Sequence, residues 1–416
     1  MKNIVVWGAG KRCKIVLEAI RKDRCNFIGI VDSNKSLHKN QYMGKWSIGA
    51  PDSFIDKTVD YIIISVESCD GILLQCEQMG IEKNRIIRFW DSDSEFDFID
   101  SNVKKIYILE KELEKCKNHL RNIPFELGMK LTPTIRPAEE LLRIILQEKR
   151  SLSRFGDGEL EIMQRRERPW FQAADKSLAE RLRNIFHSKE EKIIIALADD
   201  FGSLEHYTQN AADEIREYLE MDIREDLMKE IDFDRVYYDA YVTRPYMMYK
   251  DKEHAKNIFG LFKKIWEQRD ILLVEGMGVC TGVGNDLLCE ASKIQRIIAP
   301  PKNAFSAYNQ ILSLIKENTC EDTLVLISLG PTATVLAYDL AMEGIQALDI
   351  GQLDIEYEWY LRRAEKRIKI PGKCVAELEQ WKEGIIMADQ EYEDQIIAVV
   401  QETESKGKSR GSEYAD

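Results

Sequence analysis

Short apolar runs, glycine turns and amphipathic stretches alternate along the chain, the pattern of strands buried on both faces of a parallel sheet. Residues 3–7 read as a strand, Gly8-Ala9-Gly10 as its turn and 11–21 as a helix, and strands at 27–31 and 61–66 continue the alternation. A polar stretch follows at 103–121, where Ile106, Leu109, Leu113, Cys116 and Leu120 recur at helical spacing. It predicts either a connecting helix packed on one domain or a short dimerising coil. Beyond Pro124, Pro133 and Pro137, helices are predicted at 137–148 and 176–186. Strands are predicted at 192–197, 271–274, 296–299 and 324–329. This order specifies an α/β sandwich with a mainly parallel sheet, whose ligands bind beyond the carboxyl ends of the strands. Asp199, Asp200, Gly282, Pro300 and Gly330 should emerge there.

Candidate chemistry concentrates at that edge. In Arg154-Phe155-Gly156-Asp157-Gly158-Glu159, two carboxylates sit two residues apart between glycines, a loop able to face an oxygen-seeking divalent cation. The apolar run 271–274 leads into a glycine-rich turn containing Gly282 and Gly284, then a helix predicted from Asn285; the run 324–329 leads into Gly330-Pro331-Thr332 and another helix. A strand, a glycine turn and a helix N-terminus offer backbone N–H groups to an anion. With a metal loop beside them they suggest a diphosphate site, although ordinary strand-to-helix turns have the same sequence form. Asn285 and Asp286 either cap the predicted helix or reach the ligand. Arg154 either meets phosphate or clamps the acidic loop, and Lys302 and Asn303 are nucleotide contacts or solvated surface.

On the blocks RFGDGE at 154–159, VEG and GVGNDLL within 274–288, PPKNAFSAY at 300–308, LGPTATVLAYDL at 329–340 and the stretch 347–359, the region from about 131 to 374 resembles the GT-D group of bacterial glycosyltransferases. The resemblance implies transfer of a sugar, glucose or a related hexose, from a UDP-sugar, with Asp157 and Glu159 holding Mn²⁺ or Mg²⁺ against the diphosphate. A glycan, glycolipid or glycoprotein acceptor in surface glycan synthesis follows from it, with other glycosyltransferases as further partners. Two positions depart from the family pattern: Cys280 stands where an arginine is expected and Gln352 where a histidine is expected. Cysteine has no fixed charge for phosphate and glutamine cannot act as a base, so a non-catalytic, sugar-nucleotide-binding partner is an alternative. A base for an inverting reaction is sought among Asp354, Glu356 and Asp200. If the block 347–359 is extended, Asp354, Glu356 and Glu358 share one face.

The N-terminal unit has a Rossmann-like opening, with Gly8 and Gly10 in its turn and Asp32 where an acidic residue would meet a ribose hydroxyl. Cys13 replaces the third small residue of that fingerprint. The turns VVWGAG, IVDSN and Gly49-Ala50-Pro51 resemble the nucleotide-binding domains that precede bacterial sugar acyltransferases. A nicotinamide-dependent oxidoreductase and a scaffold that binds nothing remain alternatives.

Composition sets the bounds. The 416 residues divide into a Rossmann-like domain at 1–95, a linker helix at 96–123, a catalytic domain at 124–375, and a C-terminal helix with a disordered tail at 376–416. A formal net charge of −13 argues against nucleic acid or an anionic membrane as a general partner. No run approaches a membrane span, and the nine cysteines lack metal-site spacing, which fits a reduced cytoplasm, free or at the inner face of the membrane. Oligomerisation is left open.

Overall fold

The computed structural model describes residues 1–55, 58–66, 69–91, 96–165, 172–173, 175–375 and 390–401. The chain forms two compact units, Met1–Lys117 and Asn118–Asp416. The strands of the first are β1 (Lys2–Trp7), β2 (Cys25–Val31), β3 (Gln41–Tyr42), β4 (Trp46–Gly49), β5 (Tyr61–Ile64) and β6 (Ile86–Arg88). They form one sheet in the order β3-β4-β2-β1-β5-β6, parallel except for β3 against β4. Alternate residues of a strand face opposite sides, so Ile4 and Val6 pack into one core with Cys13 and Ile87, while Val5 and Trp7 join Ile62 and Cys76 in another. The first helix is shorter than predicted, Cys13–Ala19.

The second unit holds β7 (Thr134–Arg136), β8 (Ser151–Phe155), β9 (Ile193–Leu197), β10 (Val236–Asp239), β11 (Asp270–Gly276), β12 (Lys293–Ala299), β13 (Leu324–Ser328), β14 (Ala347–Asp349) and β15 (Ile396–Val399). Their order is β15-β12-β11-β13-β14-β8-β9-β10-β7, and every recorded pairing is parallel. Parallel strands need crossovers, and helices Ala138–Glu148, Lys176–Phe186, Lys252–Trp266 and Pro331–Met342 supply them. The last of these is apolar on nearly every side, with Ala333, Val335, Leu336, Ala337 and Leu340 fully buried, as expected of a helix enclosed by its own domain. Both units are thus Rossmann-like α/β folds.

Three expectations need correction. The linker helix runs over Ser101–Glu126, with Pro124 inside its last turn, so the boundary between units falls within it. Proline removes one donor there, and the Pro124 carbonyl still accepts N–H groups from Met129 and Lys130 at 2.7 and 3.0 Å. Second, the domain does not close at 375, because after the C-terminal helix, Gln390–Gln395, β15 extends the sheet beside β12. The predicted disordered tail at 402–416 lies outside the described residues. Third, no helix starts at Asn285, since 277–292 is a succession of turns that leads directly into β12.

Candidate active site

The carboxyl ends of the central strands carry a concentration of acids. β8 leads to Asp157 and Glu159, β9 to Asp199 and Asp200, β10 ends on Asp239 and β14 on Asp349. Residues on four adjacent strands converge here because parallel strands release their loops at one edge. Asp349 is held from three directions. Arg154 donates through Nε to its carbonyl at 2.9 Å and through Nη2 to its Oδ1 at 2.8 Å, and the Thr334 hydroxyl and Gly351 N–H donate to the carboxylate at 3.3 and 3.1 Å. The guanidinium lies against Gly351, whose φ of +47° and missing Cβ leave it room. Arg154 is therefore the clamp between β8 and β14.

Asp157 and Glu159 occupy the first turn of helix Asp157–Met163, where a loop was expected. Residues two apart on a helix do not face each other. Glu159 turns back so that its Oε2 accepts the Gly156 N–H at 3.0 Å, and Asp157 Oδ1 accepts the Gly158 N–H at 2.9 Å. Burial pushes the Glu159 carboxyl up to about 7, Asp349 adding repulsion and Arg154 opposing it. The neighbouring acids are also raised. Asp199 reaches about 7 through burial and the nearby Asp239, whose own carboxyl is raised by burial although Tyr249 and the Tyr241 N–H donate to it at 2.5 and 2.8 Å.

Asp200 differs from the others. It is 1% exposed, and neither carboxylate oxygen has a partner at hydrogen-bonding geometry. Burial pushes it up to about 8; the Tyr241 hydroxyl offsets this in part, while Asp157, Asp199 and Asp239 add to it. A buried acid so poorly supplied with donors is costly, and such positions concentrate at functional sites. Among the described residues no three His, Cys, Asp or Glu side chains come together as a cage for an ion. Asp157 and Glu159 stand at one helix start with one oxygen of each accepting a backbone N–H.

The glycine-rich turn after β11 does not offer the open N–H groups that its sequence suggests. Thr281 N–H donates to Glu275 Oε2 at 2.8 Å and Gly282 N–H to Asp354 Oδ1 at 2.8 Å. Arg296 fixes the other side of Glu275, donating to Oε1 at 2.7 Å, and reaches the Thr281 carbonyl at 2.9 Å. Asn285 bridges Asp354 and Glu358 at 2.9 and 2.7 Å, and Asp286 pairs with Lys263 and the Tyr357 hydroxyl at 2.7 and 2.6 Å. These two residues serve the packing of the turn. Gly284 lies in the same turn with φ +73° and open space around it.

The block 347–359 is not extended after β14, for Leu353–Leu361 is a helix. Asp354 and Glu358, four apart, share one face and bind Lys373 Nζ at 2.6 and 3.1 Å, all three side chains 3% exposed or less. Burial raises the Asp354 carboxyl despite Lys373 and Asn285; for Glu358 burial is outweighed by Asn285, Lys373 and Arg362, so it lies low. Glu356 points elsewhere and accepts the N–H groups of Tyr246 and Met247 at 2.9 and 2.8 Å. Asp354 and Glu356 are thus structural acids, which leaves Asp200 of the three base candidates. Lys373 escaped notice in the sequence because its partners lie 15 and 19 residues away and no spacing motif marks it.

Gly330, at φ +54°, precedes helix Pro331–Met342, whose Thr332 is fully buried and donates to Gln172 Oε1 at 3.4 Å. Asn303 Oδ1 accepts the Ala173 N–H at 2.6 Å, and Lys302 beside it is exposed. Thr332 and Asn303 therefore meet the 172–173 segment beyond the ends of β12 and β13. Cys280 is 3% exposed among Val283, Ile298 and Tyr392, so it faces an apolar cluster. Gln352 precedes the helix at 353–361 and is half-buried. A cavity of about 540 Å³ under helix Gln390–Gln395 reaches Lys293 and Ile294 at the start of β12, the far end of that strand from the acids. In the N-terminal unit, Asp32 accepts N–H groups from Ala9 at 2.7 Å and Asn34 at 2.8 Å, so its carboxylate closes its own turn. Gly8 sits where a Cβ would collide with the Ser65 hydroxyl, and Gly10 has open space.

An all-parallel sheet with acids gathered at the carboxyl ends of its central strands defines a domain of the α/β class with its ligand site at that edge. The glycosyltransferase GT-D fold family matches residues 152–378, and the chain belongs to that family. Residues 1–87 match a second family, C2185-like, N-terminal. The chain is 37% identical over 261 residues to "Probable glycosyl transferase Gly" of Streptococcus gordonii, covering 62% of this chain and 38% of that protein. It is 37% identical over 265 residues to "Glycosyltransferase GlyD" of Streptococcus pneumoniae serotype 4, covering 64% of this chain and 32% of that one. It thus spans about a third of the length of these curated relatives. A solved domain of unknown function 1792, described as having a distinct glycosyltransferase fold, is 36% identical with a TM-score of 0.62 over 65% of this chain and 96% of that domain. A glycosyltransferase of the same domain type from Streptococcus sanguinis is 34% identical with a TM-score of 0.60, covering 65% of this chain and all of that one.

Proposed function

We propose that the second unit transfers a hexose from a UDP-sugar to a hydroxyl of a glycan, glycolipid or glycoprotein acceptor, in the synthesis of a bacterial surface glycan. The observation that carries the reading is Asp200, a buried carboxylate whose oxygens have no partner at hydrogen-bonding geometry and whose nearest donor is the Tyr241 hydroxyl, beside Asp157 on the edge where parallel sheets bind ligands. Asp157 and Glu159 are the residues that would hold Mn²⁺ or Mg²⁺, and the cation supplies charge neutralisation for the departing diphosphate. In this reading the start of helix Pro331–Met342, with Gly330 and Thr332, turns its dipole toward the diphosphate, and Asn303 approaches from the other side of the 172–173 segment. Asp200 accepts the proton of the attacking acceptor hydroxyl in an inverting displacement. Its raised carboxyl suits that task, since a base works best when its pKa lies near the working pH. In this reading Arg154 is the clamp that positions the two acidic strands, its guanidinium being engaged by Asp349. Among the described residues no helix is long and apolar enough to cross a membrane; the reading places the transfer on the cytoplasmic side, free or at the membrane face.

The test is a screen of nucleotide sugars for UDP release and transfer to simple glycosides, with Mn²⁺, Mg²⁺ or chelator. The reading expects one UDP-hexose to be turned over only with a cation. Binding of a UDP-sugar with no turnover under any condition would instead favour a non-catalytic partner, and retention of a nicotinamide by the first unit would favour an oxidoreductase.

A further inference from the structure

The helix Ser101–Glu126 is tied down at its two ends and bare between them. Near its start Tyr107 packs on Trp90 at 5.2 Å and Val103 on the core that contains Ile4. Near its end Phe125 lies 4.3 Å under the Arg224 guanidinium, and Glu126 binds Arg216 at 2.8 Å. Every residue from 108 to 117 is exposed. Isolated helices of this length are marginal in water, so a three-turn bare stretch calls for a partner or for many side-chain pairs.

The exposed side chains are ordered. Ile106, Leu109, Leu113, Cys116, Leu120 and Ile123 succeed one another at intervals of three, four, three, four and three. Ile106, Leu109, Leu113 and Leu120 are 55–67% exposed, and Cys116 is exposed with them. A 3-4 repeat keeps one seam facing a second helix with the same repeat. The charges beside the seam select the partner. In a parallel, in-register pair, the residue before each first apolar position faces the residue five further on in the other helix. That sets Lys105 against Glu110 and Glu112 against Lys117, opposite signs both times. The exposed Lys117–Glu114 contact at 3.5 Å is of the kind worth little, and does not withhold Lys117.

We propose that this face joins two copies of the chain as a parallel, in-register two-stranded coil, with Cys116 meeting its counterpart across the axis. The ends are already anchored, so much of the ordering entropy that limits a short coil is met within each chain.

Sedimentation equilibrium of the full chain should give twice the chain mass at micromolar concentration. A short bismaleimide should then join two chains through Cys116, and Cys116→Ser should abolish that product although Cys289 and Cys320 remain exposed thiols. Leu109→Glu with Leu113→Glu should weaken association at least tenfold with an unchanged circular dichroism spectrum, because both side chains are exposed. A monomeric wild type, a dimer that survives the double substitution, or a dimer that Cys116 does not link would each overturn the proposal.

Discussion

The two sheets use the same device, a buried parallel strand followed by a glycine turn, and differ in what becomes of the acids beyond it. In the first unit Asp32 receives two backbone N–H groups and the Ser65 hydroxyl donates to the Gly8 carbonyl at 2.7 Å, so the turn is complete in itself. In the second, Asp200 has no donor at hydrogen-bonding geometry beyond the nearby Tyr241 hydroxyl, and burial raises Asp199 and Glu159 to about 7, with Asp239 adding to the first and Asp349 to the second. A glycine turn therefore marks a fold, and an uncompensated buried acid marks a site. The turn after β11 makes the same point within the second unit, because Glu275 and Asp354 take up the N–H groups that an anion would have used.

The comparison breaks most visibly at Asp200. Replacing a general base costs about 10²–10⁴ in rate, so Asp200→Asn should lower transfer by that order. The same change should stabilise the fold at alkaline pH. The folded carboxyl titrates at about 8 and the unfolded one near 4, so the native state holds a proton that the unfolded chain has lost, and stability falls as pH rises between those values. The asparagine variant should melt about 5 °C or more above wild type at pH 8 and close to it near pH 4, given roughly 2–4 °C per kcal/mol for a domain of this size. Thermal denaturation across that range checks the sign, and a variant less stable at pH 8 would mean that Asp200 has donors in solution.

Lys373→Met tests the opposite arrangement, acids whose partner is built in. It leaves Asp354 and Glu358 buried without their cation, and should cost about 3–5 kcal/mol in denaturant unfolding while weakening the glycine turn that Asp354 holds. The smallest effect belongs to the first unit. Asp32→Asn keeps one acceptor oxygen for the two N–H groups and should cost about 1 kcal/mol, with donor binding by the second unit unchanged. A loss of donor binding in this variant would make the N-terminal turn part of the site.

Most strands and the helices at 138–148 and 176–186 were legible, because burial on both faces writes continuous apolar runs and amphipathic helices write a 3.6-residue period. The family was legible in the blocks that surround the edge. What failed were stretches whose shape is set by distant partners. Residues 285–292 have a helix start but follow turns, since Asn285 is held by Asp354 and Glu358 some 70 positions away. Asp354 and Glu356 would share a face in an extended block, yet the helix sends one to Lys373 and the other to the backbone at 246–247. Cys280 stands where an arginine was expected, and its cluster includes Tyr392, from a part of the chain that carries no motif. Of the candidate site, position along the edge could be read from sequence, while the satisfaction of each polar group could not.

Calorimetric titration of UDP into the full chain, with and without Mn²⁺, tests the central claim most directly, with Asp157→Asn alongside. If the acidic edge holds a cation against a diphosphate, Mn²⁺ should tighten UDP binding at least tenfold in the wild type, about 1.4 kcal/mol, and have little effect in Asp157→Asn. Equal UDP affinity with and without the metal, or full metal enhancement in the variant, would contradict it.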